Sequence, residues 1–472
     1  MKILKKILKW FGIVLFVLVA ALFIFTSFLI NHFKPDVEQA FKSRTGMEAQ
    51  IEGNLQLKIL PGISLVINKL NLINNETYFL RTENAEFELD LQSWLVGPHT
   101  IIKAISFKNP QIFIFKNENG KYNFDTGIET PVKTSSSLNF NLTDLKVEGG
   151  KLLYFDTNQS DTLTISGVSL STVRVKADGN FENFSLKNSY FEGNLSIKNL
   201  KLNALQLNNV LLKVVENNEL FLLTPGSPAF YGGSLSGKAT IDVSQNPVKS
   251  NFTFTASDLK IDSLLMDFET ALYLKGNVNI EADIQFESYD WELFQQNMQG
   301  NINLSGENVL IYGFNTEVVL DNFAKTGKFN AINAGAALMA GPVGAVLINN
   351  KGLASLLTYD SGDSLLAKKF ISKWKFNNGK AIAEDVAFSD GKYRIAVSGA
   401  LDFLNSDYEN LAISLLNVSG CPVLSQQINN SFDDATLQMV SFYETKNGNN
   451  KTLKEAVLSR SSCDFPYHGI IF

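Results

Sequence analysis

The chain has 472 residues, of which 45% are hydrophobic and 19% charged, with a net charge of −6. Acidic and basic residues are interspersed, and no long Lys/Arg cluster provides the basic face that a nucleic-acid binder needs. The 36 Phe and only 11 Pro suit half-buried pleated sheet, and the length suffices for a large core.

Lys2, Lys5, Lys6 and Lys9 form a basic tail, 1–9, before an apolar run from Trp10 to Ile30. About 20 apolar residues cross a bilayer as a helix, so residues 10–30 are predicted to be a transmembrane anchor. Lysines on the short N-terminal flank place that end in the cytoplasm and export the rest. A cleaved signal peptide is the competing reading, with a weak small-residue site near Val19-Ala20-Ala21. The run continues through Phe23, Phe25 and Leu29, a length that fits the uncleaved anchor better.

After the anchor, Pro35 to Lys42 reads as a short helix, with Val37, Ala40 and Phe41 at helical spacing. A first β region, 34–129, follows. Residues 54–59 alternate polar and apolar, as do Ala85, Phe87, Leu89 and Leu91, and Ile112 to Phe115 mark a further strand. A Ser/Thr-rich loop at 130–137 separates it from a central β region, 138–330.

In that central region, side chains of one strand face alternate ways, so each alternating run gives an apolar face. Leu138, Phe140 and Leu142 form one face; Phe252 and Phe254 form another; Val278, Ile280, Ala282 and Ile284 form a third. Many short strands separated by Gly, Asn and Asp turns predict a mainly β fold, a long antiparallel sheet with a few short helices. Two arrangements satisfy this pattern. One is a β-sandwich whose faces cover each other, and the other is a curved sheet whose apolar face stays open as a groove.

The segment 331–357 breaks the period, being rich in Ala and Gly around Pro342. Close backbone packing of small residues predicts a bent helix or helical hairpin against the sheet, and an interfacial lid is the functional alternative. A last β region, 358–472, holds both cysteines, Cys421 and Cys463. They are either bystanders in a reducing compartment or disulfide partners in an oxidising one, and their spacing does not suggest a metal site.

No catalytic motif is found. The histidines are His32, His99 and His468, and Gly232-Gly233-Ser234 lacks a following helix signal, so it reads as a β-turn. Carboxylate pairs such as Glu384-Asp385 and Asp433-Asp434 read as surface residues, which makes a secreted hydrolase the weakest alternative. The chain is expected to be no enzyme, without metal or cofactor.

Three stretches carry a resemblance. Thr45-Gly46, Gly53, Pro61-Gly62 and Ser64-Leu65 follow the anchor; Phe230-Tyr231-Gly232-Gly233-Ser234 leads into a new strand, and Gly300 to Phe314 ends on a Gly-Phe pair. Near the end come Ala340-Gly341-Pro342, Ser372-Lys373-Trp374, Gly399 to Phe403, and Gly420-Cys421 before a Gln-rich helix start at Gln426-Gln427-Ile428. These stretches resemble the AsmA family of envelope proteins. The resemblance implies a bacterial inner-membrane location, single-pass, with the bulk of the chain periplasmic. It also implies a Cys421–Cys463 disulfide and a groove for phospholipid that supports outer-membrane assembly. The lipid-facing candidates are then the three faces named above. The alternative is a lipid-free scaffold acting through envelope protein partners.

Overall fold

The computed structural model describes residues 30–59, 62–90, 102–125, 140–157, 161–177, 190–202, 205–267, 274–288, 291–339, 356–357, 363–442, 453–460, 462–464 and 466–471. Apart from Ile30, the predicted anchor at 10–30 lies outside them, as do the loop at 130–137, Leu138 and residues 340–355. No helix among the described residues is long and apolar enough to cross a membrane. The chain divides into two compact units, Met1–Asn203 with Val210–Glu219, and Ala204–Asn209 with Leu220–Phe472.

The first unit opens on the expected helix, α1 (Lys34–Thr45). Pro35 suits its first turn, where a missing N–H costs nothing, and Asp36 complements the helix dipole. Gly46 ends it at φ +73°, its N–H donating to the Lys42 carbonyl; a residue with a side chain would be strained there. Val37 and Phe41 pack on a small core of Met47, Leu55, Ile67, Leu70 and Ala85.

That core belongs to the strands β1 (Glu48–Ile51), β2 (Leu55–Lys58), β3 (Ser64–Asn74) and β4 (Thr77–Leu89). There follow β5 (Ile102–Lys108), β6 (Gln111–Lys116), β7 (Phe140–Leu142), β8 (Asp144–Asp156), β9 (Asp161–Ala177) and β10 (Tyr190–Leu202). β11 (Leu205–Asn217) contributes residues to both units. One expectation needs correcting: pairing is not antiparallel throughout. β8 runs parallel to both β5 and β6, with Phe107 opposite Val147 and Ile112 opposite Leu152. The long connection between β6 and β8 leaves room for the chain to return in the same direction, which a tight hairpin cannot do.

The second unit contains β12 (Leu220–Phe230), β13 (Gly233–Asp242), β14 (Val248–Lys260), β15 (Leu274–Lys275), β16 (Asn277–Ser288) and β17 (Gln299–Tyr312). It continues with β18 (Ser364–Asn377), β19 (Lys380–Ser389), β20 (Arg394–Asp402), β21 (Asp407–Leu416), β22 (Pro422–Asn429) and β23 (Thr436–Phe442). Tyr231 and Gly232 make the turn from β12 into β13, whose first residues are Gly233 and Ser234. Short helices interrupt the strands: α2 (Ile261–Asp267), α3 (Trp291–Asn297), α4 (Thr316–Thr326), α5 (Ile332–Met339) and α6 (Leu453–Val457). Asn315 caps α4, its side chain accepting from the Glu317 and Val318 amides.

One further correction concerns a helix. Gln426-Gln427-Ile428, expected to start a helix, lies within β22, because both neighbours, β21 and β23, pair with it. Of the Ala/Gly-rich segment, the described helical part is α5, which is buried against β18 to β21.

The two sulfurs of Cys421 and Cys463 form a disulfide, with Cα atoms 5.7 Å apart. It pins the C-terminal tail across the outer face of the second unit. There the Tyr467 N–H donates to the Gly420 carbonyl at 2.8 Å, and the Ile470 N–H to Asp385 at 3.0 Å. Ile471 sits on Ile371, Ala387, Ala396 and Leu416. Because the bridge spans 42 residues, changing both cysteines to serine is expected to cost about 4 kcal/mol of stability in the chain-entropy model. Denaturant unfolding of the double variant, compared with the oxidised wild type, measures this. An unchanged midpoint would mean that the tail contacts alone hold this end together.

Candidate functional site

Residues opposite one another on paired strands project to the same face, so the register turns separate strand patterns into rows. In the first unit one row runs Ala85, Phe107, Val147, Leu170, Leu195 across β4, β5, β8, β9 and β10. A second runs Leu80, Ile112, Leu152, Ile165, Leu200. Ala85, at the β4 end, is fully buried, but Phe107, Val147, Leu170 and Leu195 are only half-buried. The second row is half-buried from Leu80 to Leu200. Among the described residues of this unit, α1 is the helix that packs on the sheet, and it does so at β1.

The opposite face carries charge in pairs. Lys58 meets Glu86 at 2.7 Å, Lys103 meets Glu88 at 2.9 Å, and Lys146 meets Asp144 at 2.8 Å. Hydrogen bonding to Glu88, and then its charge, raises the Lys103 ammonium above its ordinary value; Asp144 does the same for Lys146. The face opposite the Phe107 row thus carries ion pairs, whereas opposite the Ile112 row lie Phe115 and Phe155, 38% and 37% exposed.

The second unit has equivalent rows, but most of them are closed. One runs Leu235, Ala256, Ile280, Leu304, Ser372, Val386, Val397, Ile413, Gln426 over β13 to β22. Its aliphatic residues from β14 onward join a single large core that includes residues of α5, α2 and α4. At the β12 end of the unit, Leu223, opposite Ala239, is only half-buried. Burial and the Asp267 carboxylate push the Tyr231 hydroxyl up, and its hydrogen bond to Asp267 at 2.7 Å ties the Tyr-Gly-Gly turn to α2.

The candidate lipid-facing residues therefore fall in different surroundings. Val278, Ile280, Ala282 and Ile284 are 2–8% exposed within the core, so no surface is left on them for an acyl chain. Their alternation marked a face correctly, but the large core of the second unit takes that face in, and α3, which directly follows β16, packs against the strand. Leu142 is likewise buried, opposite Val175 on β9. Phe140 lies on β7, with its side chain outside the described residues, as is Leu138 altogether. Phe252 and Phe254 remain half-buried, and the Phe252 ring stacks on Phe286 at 5.6 Å. The half-buried rows through Phe107, Val147, Leu170 and Leu152 were not singled out from sequence. Their strands alternate, but only the register shows that the apolar positions line up. Among the described residues, no group of three or more His, Cys, Asp or Glu could hold a metal ion.

Fold and face together define a mainly β protein, rich in antiparallel strands, that presents half-sheltered apolar rows. The sequence profile of the AsmA family matches residues 1–195 and 192–338, and the chain belongs to this family. No curated protein and no solved structure matches it.

The two environments predict opposite responses to charge. Ile280→Asp places a carboxylate in a closed core and is expected to destabilise the second unit by roughly 4 kcal/mol. Leu170→Asp, where water already reaches, is expected to cost no more than about 1.5 kcal/mol. Thermal unfolding of both variants followed by circular dichroism tests this, and equal losses would mean that the first unit's face is as closed as the second's.

Proposed function

We propose that this chain is an inner-membrane-anchored envelope protein that holds phospholipid along the apolar face of its first unit. Residues 10–30 anchor it, with the N-terminus cytoplasmic and the remainder periplasmic. Membership of the AsmA family is consistent with an envelope role, and transfer of lipid in support of outer-membrane assembly is the finer part of the proposal. The observation that carries it is the pair of half-buried apolar rows running in register across β4 to β10. A monomeric soluble domain seldom leaves an apolar strip of this kind open unless something binds there.

The mechanism is passive. Acyl chains lie along the rows, across the strands, while head groups stay in water at the rim. At ~0.8 kcal/mol for each methylene removed from water, ten sheltered methylenes contribute about 8 kcal/mol. That suffices for capture without any single decisive residue, and it calls for no catalytic group. Movement along the strip exchanges one apolar contact for the next, so no large barrier separates neighbouring positions.

A scaffold acting through protein partners is the second reading, and the closed core of the second unit favours it for that unit. The two readings part in one experiment. Full-length protein is purified from a bacterial envelope in mild detergent, then analysed by native mass spectrometry and lipid extraction. Bound phospholipid in the wild type, lost in a folded Leu152→Asp/Leu170→Asp variant, is the expected result. A folded wild type that carries no lipid sinks the lipid reading and leaves the scaffold.

A further inference from the structure

The helix α5 lies where an acyl chain would otherwise run. Its sequence, INAGAALM, is almost wholly small and apolar, and every residue but Asn333 is buried. It touches β18, β19, β20 and β21, so it crosses the strands and does not follow any one of them.

Two polar side chains mark its ends. In the row Ser372, Val386, Val397, Ile413, Gln426, the first and last positions are polar and the three between them are aliphatic. The Gln426 side-chain oxygen accepts the Ala331 N–H at 2.9 Å, at the start of the helix. The Ser372 hydroxyl donates to the Leu338 carbonyl at its end. Between these anchors, Gly335 presses against Ile413 so closely that a Cβ there would fall 2.1 Å from the Ile413 Cδ1.

The dimensions agree. The three spacings from β18 to β21, the strands that it touches, cover about 14 Å, and eight helical residues about 12 Å. A free helix terminus leaves N–H and C=O groups unsatisfied, and in an apolar face each would be costly. Gln426 and Ser372 each satisfy one such group, the Ala331 N–H and the Leu338 carbonyl, and the row is otherwise apolar back to Leu235.

We propose that α5 is a built-in stop. It fills the strip of apolar face over β18 to β22 along the direction in which acyl chains would run, and so excludes lipid from those strands. Ser372, Gln426 and Gly335 hold it there. The inference rests on the lipid-holding reading above.

The test uses full-length protein, charged in mild detergent with a phospholipid bearing a diazirine on one acyl chain, then irradiated and mapped by peptide mass spectrometry. Wild type is compared with Ser372→Ala/Gln426→Leu and with Gly335→Val, and hydrogen exchange at residues 331–339 reports whether α5 has lifted. In the wild type, label is expected on peptides 144–157 and 161–177 but not on peptides 380–416. In either variant, α5 is expected to lose exchange protection while peptides 380–416 gain label severalfold. Wild-type labelling of 380–416 as strong as that of 161–177 overturns the stop. So does a variant in which α5 loses protection without any gain of label. If both variants keep α5 protected, Ser372, Gln426 and Gly335 do not hold it, and the proposal falls. A wild type that takes up no probe at all overturns the lipid reading itself, and the stop with it.

Discussion

Backbone pairing sets apolar side chains opposite one another from strand to strand, and the rest of this structure depends on that register. A strand with alternating side chains has an apolar face in any fold, but the face is only one residue wide. Pairing adds width. Phe107 opposite Val147, Val147 opposite Leu170, and Leu170 opposite Leu195 together make a surface that no single strand has. A slip of one residue would turn each set towards the ionic face, where Lys103, Glu88, Lys146 and Asp144 lie.

Each unit has apolar rows of the same kind and uses them to a different end. In the second, helices supplied by the connections between strands settle onto the face and convert it into a core. There Trp374, Phe388, Ile395 and Leu411 are all but inaccessible to water. In the first, the core is confined to α1 and the strands nearest it, and the Phe107 and Ile112 rows across β5 to β10 stay half-buried, while Leu142 and Ile197 on these strands are buried. The difference comes from what lies on the sheet. α5 carries Ala and Gly where it meets the strands, and only small residues let a helix approach so closely.

Polar groups inside the closed face follow the same logic. Ser372 and Gln426 interrupt an aliphatic row, and taken alone each is a defect in a core. Their partners are the two ends of a helix, where unpaired backbone groups would otherwise be buried, so each defect satisfies another. The Trp374 indole N–H, donating to the Ser372 hydroxyl at 2.9 Å, completes the set. The C-terminal tail is held on the outer face by a comparable combination. A disulfide, the paired Asp385 and a single buried Ile471 fix it there.

Much of this could be read from the chain itself. Composition and period-two alternation identify a mainly β protein, Pro35, Asp36 and Gly46 delimit α1, and the Gly-Gly turn before β13 follows from local chemistry. Local backbone preference and side-chain alternation are properties of neighbouring residues, so they survive without a fold. The parallel pairing of β8, the burial of Val278 to Ile284 and the strand at Gln426 could not be read in that way. Each depends on partners outside the segment itself: β5 and β6 beside β8, the large core around β16, and β21 and β23 flanking β22. Alternation says that a face is apolar, and only tertiary packing decides whether protein covers it or leaves it half open.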